Sequence, residues 1–119
     1  MEDPGVVASA FELLAIADVA QEPPATFSAG ELAYARSKSD PERRLAARLA
    51  AKRALGRLLG SGIEPAELEV VRQPWGPPAM RLSPRAEARL AELGARRVLV
   101  SLTHARERAA AAVVLLREP

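Results

Sequence analysis

Arg48, Lys52, Arg53 and Arg57 crowd one short stretch, and Arg44 precedes them by one turn. Arg44, Arg48 and Lys52 recur at four-residue steps, with Arg53 and Arg57 on an adjoining row, so on a helix their cationic heads gather along one flank. Guanidinium and ammonium groups in such an array can hold an anion through charge-assisted hydrogen bonds. The same periodicity also fits a solvated helix face. Gly60 and Gly62 stop the helix just beyond the array. His104, the only histidine, stands by itself as a residue at the turn after a strand.

The helix that carries these cations spans residues 41–59 by pattern. Asp40 is its expected N-cap, Pro41 its first residue, and Leu45, Leu49, Leu55, Leu58 and Leu59 its buried face. Ala46, Ala47, Ala50, Ala51 and Ala54 add helix propensity and permit close approach. Before it, residues 5–11 read as a short strand, central because both faces are apolar, and residues 12–21 as a short helix ended by Pro23 and Pro24. Ser28 with Glu31 forms a capping-box pattern for a further helix to about Lys38. Beyond Gly62, residues 67–72 and 79–82 form a hairpin around the rigid turn 73–78, and Ser83 caps a helix over 84–93 closed by Gly94. Residues 98–103 and 110–116 are two more strands joined by a tight turn. The fold class is α+β, with a mostly antiparallel sheet and a long central helix.

A chain of 119 residues with 49% hydrophobic and only 3% aromatic residues suits one domain, 1–119, with a core of Ala, Leu and Val. Cysteine is absent, which removes disulfides and thiolate metal sites. No apolar run reaches a membrane span, and Met-Glu-Asp-Pro lacks the basic start of a signal peptide, so the expectation is a soluble cytoplasmic protein. The net charge of +2 is uneven: residues 1–35 hold six acids (Glu2, Asp3, Glu12, Asp18, Glu22, Glu31) and no Lys or Arg. Neither zinc-finger spacing nor an aromatic stacking platform accompanies the later basic residues, and nucleic acid is not the expected partner.

Three blocks in one order resemble the holo-acyl-carrier-protein synthase family of phosphopantetheinyl transferases. They are Phe27-Ser-Ala-Gly-Glu31-Leu, Arg48-Leu-Ala-Ala-Lys52 and Val100-Ser-Leu-Thr-His104, with Glu69-Val-Val-Arg and Gly76-Pro-Pro between the last two. The resemblance covers nearly the whole chain. It implies a homotrimer that binds coenzyme A in clefts between subunits and moves 4′-phosphopantetheine, with magnesium, onto a serine of an acyl carrier protein. It further implies that Arg48, Lys52, Arg53, Arg57, Gly60, Ser61 and His104 lie on the coenzyme A and phosphate side. Trp75 is expected as a hairpin or subunit packing residue, with adenine stacking as the other option.

The resemblance also marks departures. The family's metal-binding Asp, three residues before a Glu that aligns with Glu12, falls at Ser9, and its second metal-binding Glu falls at Arg53. Asp3 precedes the strand and Asp18 follows it, so neither restores the site. A guanidinium about 4 Å from a divalent cation is repelled by about 8 kcal/mol at an effective dielectric of about 20, as an upper bound. Magnesium is therefore not expected, no catalytic residue is assigned, and the expected function is a degenerate family member. Such a protein has weak or no independent transfer, and either binds coenzyme A without magnesium or acts through protein contacts. The segment after the first strand carries Glu12 and Asp18 without a base, so an acidic carrier protein is expected to be repelled. Two alternatives stand: an active holo-acyl-carrier-protein synthase, and a complementing subunit that lends His104 and its basic flank to a metal-competent homologue in a mixed oligomer.

Overall fold

Leu49, Leu55, Leu68, Val113 and Leu115 are all but sealed from solvent, and they mark where helix and sheet meet. The computed structural model describes residues 5–119, and the expectations placed on residues 1–4 lie outside it. In chain order the elements are β1 (Val6–Ala15), α1 (Ala29–Arg36), α2 (Pro41–Leu59), β2 (Leu68–Val71), β3 (Ala79–Leu82), α3 (Pro84–Glu92), β4 (Arg97–His104) and β5 (Arg108–Leu116). Two short 3-10 segments, Ile16–Gln21 and Pro24–Thr26, link β1 to α1, and a third, Pro65–Glu67, precedes β2. Among the described residues no helix is long and apolar enough to cross a membrane.

The α+β class and the antiparallel pairing are as expected. One sheet has the order β1-β5-β4 and the other pairs β2 with β3, all antiparallel. The alanines of α2 explain how the layers close: Ala46, Ala47, Ala50, Ala51 and Ala54 are buried opposite a strand whose inward residues include Ala109 and Ala111. Small side chains on both layers let helix and sheet approach, while Val113, Leu115 and Val100 fill the spaces between the leucines.

Two local expectations are corrected. The first strand does not stop at Phe11, because Glu12, Leu13, Leu14 and Ala15 pair with Ala111, Ala110, Ala109 and Arg108 of β5. Sheet pairing overrides the helical propensity of that segment, and only a 3-10 turn follows. β1 is also an edge strand, and the alanine-rich β5 takes the central place.

The capping box at α1 forms as the spacing requires: Ser28 Oγ accepts from Glu31 N at 3.0 Å and Glu31 Oε1 accepts from Ser28 N at 2.9 Å. Asp40 makes no side-chain cap and instead accepts from Arg44 Nε at 3.0 Å. Gly60 and Gly62 end α2 with φ of 94° and 92°, a backbone region open to glycine at little cost.

The sheet of β1, β5 and β4 has one face against α2. Register places Phe11, Ala112 and Ser101 in one row of the other face, and Leu13, Ala110 and Thr103 in the next. Phe11 is 62% exposed, Leu13 53% and Leu99 39%, so this face is apolar and uncovered among the described residues.

Candidate functional site: a cationic hollow and a neutralised one

The cationic side chains of α2 do not gather along one flank. Nine residues separate Arg48 from Arg57, and at about 100° per residue that rotation is about 180°, which turns the two to opposite faces of the helix. The expected site residues consequently line two hollows that share no residue.

The first hollow, about 460 Å³, lies between α1, α2, β4 and the β2–β3 loop, with Tyr34, Arg44, Arg48, Arg72, Pro77, Pro78, Thr103 and His104 in its wall. Arg48 is its buried centre, only 4% exposed. The Arg48 guanidinium lies 4.3 Å from the Tyr34 ring centroid, and Nη1 donates to Arg44 O at 3.3 Å. Nε is buried with no hydrogen-bond partner. Burial pushes Arg48 below the ordinary arginine pKa, with Tyr34 and Glu31 opposing that shift. Lys38 at 5.3 Å and Arg72 at 5.8 Å approach the same ring. Arg44 pairs with Asp40, whose carboxyl the Arg44 hydrogen bond holds below its usual range. Among the described residues no acidic side chain lines this hollow.

The second hollow, about 660 Å³, is lined by Glu12, Lys52, Arg53, Arg57, Gly60, Ser61 and Gly62 among others. Each of its cations is already answered. Lys52 Nζ lies 2.6 Å from Glu31 Oε1, and it donates to Thr26 O at 2.7 Å and Pro65 O at 3.4 Å. Arg53 Nη2 sits 3.3 Å from Glu22 Oε2. Arg57 pairs with Glu12 and also donates from Nη2 to Phe11 O at 2.7 Å.

No family model matches the chain. Holo-acyl-carrier-protein synthase of Chlamydia trachomatis serovar D is 41% identical over 92 residues, 74% of each chain. The chain belongs to the holo-acyl-carrier-protein synthase family. The synthase of Treponema pallidum strain Nichols is 44% identical over 78 residues, and the match spans 62% of that protein and 63% of this chain. Among solved structures, acyl carrier protein synthase of Mycobacterium tuberculosis is 35% identical with a TM-score of 0.71, over 93% of this chain and 97% of that one. A coenzyme A complex of the Chronobacterium ammoniagenes synthase is 27% identical with a TM-score of 0.69, over 91% of this chain and 95% of that one.

Set beside the synthase family, Arg48 and His104 come together in the first hollow, and Arg53, Arg57, Gly60 and Ser61 in the second. Lys52, expected as a phosphate contact, is bound within the chain. Its three N–H donors are engaged within the chain, and its side chain is 1% exposed, so it supports the second hollow from below. Magnesium does not fit the residues at the family's metal positions. Ser9 lies on the exposed sheet face with Phe11 and Leu13 and does not line the second hollow, and Arg53, which does, is paired with Glu22. Among the described residues no three His, Asp or Glu side chains converge.

Sequence reasoning missed Tyr34 and Arg72 as site residues. Tyr34 carried a weak signal, as the only tyrosine in a chain poor in aromatics, but its cationic neighbours lie up to 38 residues away. It also missed Glu12 and Glu22 as the partners that neutralise Arg57 and Arg53.

Proposed function

We propose that this chain is a coenzyme A-binding member of its family, assembled as a homotrimer, with weak or no independent transfer of phosphopantetheine. The observation that carries the reading is Arg48: a buried guanidinium with a free Nε, in a hollow lined by cations and by no carboxylate. A phosphate accepting from such a group relieves an unmet donor and a desolvated charge together.

The family's ligand positions fall in two separate hollows, which supports a site completed by a second copy, the first hollow of one chain facing the second hollow of its neighbour. The uncovered apolar sheet face around Phe11, Leu13 and Leu99 supports the same assembly. Binding without magnesium is supported by Arg53, a guanidinium paired with Glu22 at the position of the family's second metal-binding Glu, where a divalent cation would be repelled. Slow or absent transfer follows from the same substitution: a fixed guanidinium does not lower the pKa of an attacking hydroxyl as a bound metal ion does.

Calorimetric titration with coenzyme A, once with magnesium and once with a chelator, tests the reading. Equal binding in both is the expected result, and Arg48→Met should weaken it about ten- to hundred-fold while the far-UV spectrum is kept. Absence of binding by the folded protein would overturn it. An active synthase is the second reading, favoured by the 41% identity to the Chlamydia trachomatis enzyme. Magnesium-dependent loading of a purified acyl carrier protein, followed by mass, would establish that reading in place of the first.

A further inference from the structure

We infer that Trp75 covers the purine ring of the bound nucleotide, an inference that rests on the coenzyme A reading above. Trp75 is 87% exposed, the most exposed large apolar side chain among the described residues. It sits in the middle of the loop between β2 and β3, and both ends of that loop are fixed to the cationic hollow. At one end Arg72 lies 5.8 Å from the Tyr34 ring, and at the other Pro77 and Pro78 form part of the wall. Gln73 Nε2 donates to Pro77 O at 3.0 Å and closes the loop across Trp75 in sequence. Two residues of chain span at most about 7 Å, so the Trp75 Cα cannot stand farther than that from the Pro77 wall.

An indole offers a rigid flat face that gains from burial, and none of the described residues buries it. A ligand whose phosphate is drawn to Arg48 brings its attached nucleoside to the mouth of the hollow, where a flat heteroaromatic ring can stack on that face. Stacking of a base on an aromatic side chain is tolerant of exposure, because every base has a π-face. Prolines on both sides of Trp75, at 74 and 77, restrict the backbone of the loop that carries the indole.

Trp75 is the only tryptophan, so its emission reports this contact directly. The full chain should be titrated with coenzyme A, 3′,5′-ADP and 4′-phosphopantetheine, by fluorescence and by calorimetry. The two adenine-bearing ligands should quench the emission, and 4′-phosphopantetheine should not. Trp75→Ala should weaken 3′,5′-ADP about five- to hundred-fold and leave 4′-phosphopantetheine unchanged, and Trp75→Phe should recover most of the loss. Calorimetric binding of coenzyme A with constant emission, or with equal affinity in Trp75→Ala, would overturn the inference and leave the coenzyme A reading intact. A blue shift on raising protein concentration without ligand, unaltered by 3′,5′-ADP, would place the indole against another copy and overturn it as well. No heat with coenzyme A from the folded protein would remove the coenzyme A reading itself.

Discussion

Replacing Lys52 by methionine tests whether the cation beneath the second hollow is a structural pillar. Its ammonium faces Glu31 Oε1 at 2.6 Å with both side chains at most 1% exposed, and its other donors go to Thr26 O and Pro65 O. Glu31 in turn accepts from Ser28 N at 2.9 Å and Val70 N at 2.8 Å, tying α1 to β2. Lys52→Met keeps the apolar stem and leaves Glu31 as a buried carboxylate with two backbone donors and no counter-ion. Breaking one side of such a pair costs about 3–5 kcal/mol, against a total stability of about 5–15 kcal/mol. For a chain of this length that is a fall in Tm of about 12–20 °C. Urea unfolding followed by far-UV circular dichroism, at one protein concentration because assembly shifts the apparent midpoint, gives the difference directly. Glu31→Gln should also be costly, since it strands the ammonium and leaves Ser28 N or Val70 N without its acceptor. The double replacement should be several kcal/mol less damaging than the sum of the two, because neither charge of the pair then remains buried without its partner. A loss below about 1 kcal/mol for Lys52→Met, or simple additivity of the two changes, would refute the reasoning and return Lys52 to the ligand side.

Two further outcomes follow from named contacts. Glu67 accepts from Arg85 at 2.5 Å, Glu64 N at 2.9 Å and Ser83 Oγ at 2.8 Å, and these bonds, Arg85 first, lower its pKa from the usual 4.5 to about 2. Because the folded pKa is depressed, the stability it contributes is present above about pH 4.5 and is lost as pH falls toward 2, so Arg85→Ala should flatten that acid limb and raise the Glu67 carboxyl toward 4.5 in a carbon-13 titration. Phe11→Glu places a charge in the exposed apolar sheet face and should convert the assembly to monomers in sedimentation equilibrium without loss of secondary structure; a parent that is itself monomeric, or a variant of unchanged mass, would refute the assignment of that face.

What could be read in the sequence was what short-range chemistry decides. The Ser28–Glu31 box, the length of α2 from Pro41 to Leu59, the glycine stop at Gly60 and the hairpin around residues 73–78 each depend on neighbours a few positions away. Several of the differences concern distant partners. Residues 12–15 became strand because β5, about 96 positions later, offers them a ladder. The pairs of Arg57 with Glu12 and of Arg53 with Glu22 are not legible in the sequence, because the partners are 45 and 31 residues away. The cations of α2 do not form a single flank for a local reason, since rotation along the helix separates Arg48 from Arg57. The family motif expects Gly60 and Ser61 beside Arg57, and they do share its hollow, while His104 joins Arg48 in the other.

The acidic opening of the chain takes on a different meaning once those pairs are known. Of its six acids, Glu12, Glu22 and Glu31 are the partners of Arg57, Arg53 and Lys52, all on α2. Half of these acids are therefore internal counter-charge of the central helix rather than part of an outward acidic face. Near the first 3-10 segment, Glu12 is neutralised and Asp18 is left exposed, so the repulsion of an acidic carrier protein expected from two carboxylates falls to that of one. One exposed charge in water at physiological salt acts over about 8 Å, too little to govern docking of a whole protein. Pairing within the second hollow leaves the first, with Arg48, Arg72 and His104 and no acid in its wall, as the stronger attractor for an anion. Affinity for coenzyme A should then depend on salt through the exposed Arg72 more than through Arg48, whose charge is buried beyond the reach of screening. Arg72→Ala should flatten the salt dependence of binding, and Arg48→Met should lower affinity at every salt concentration.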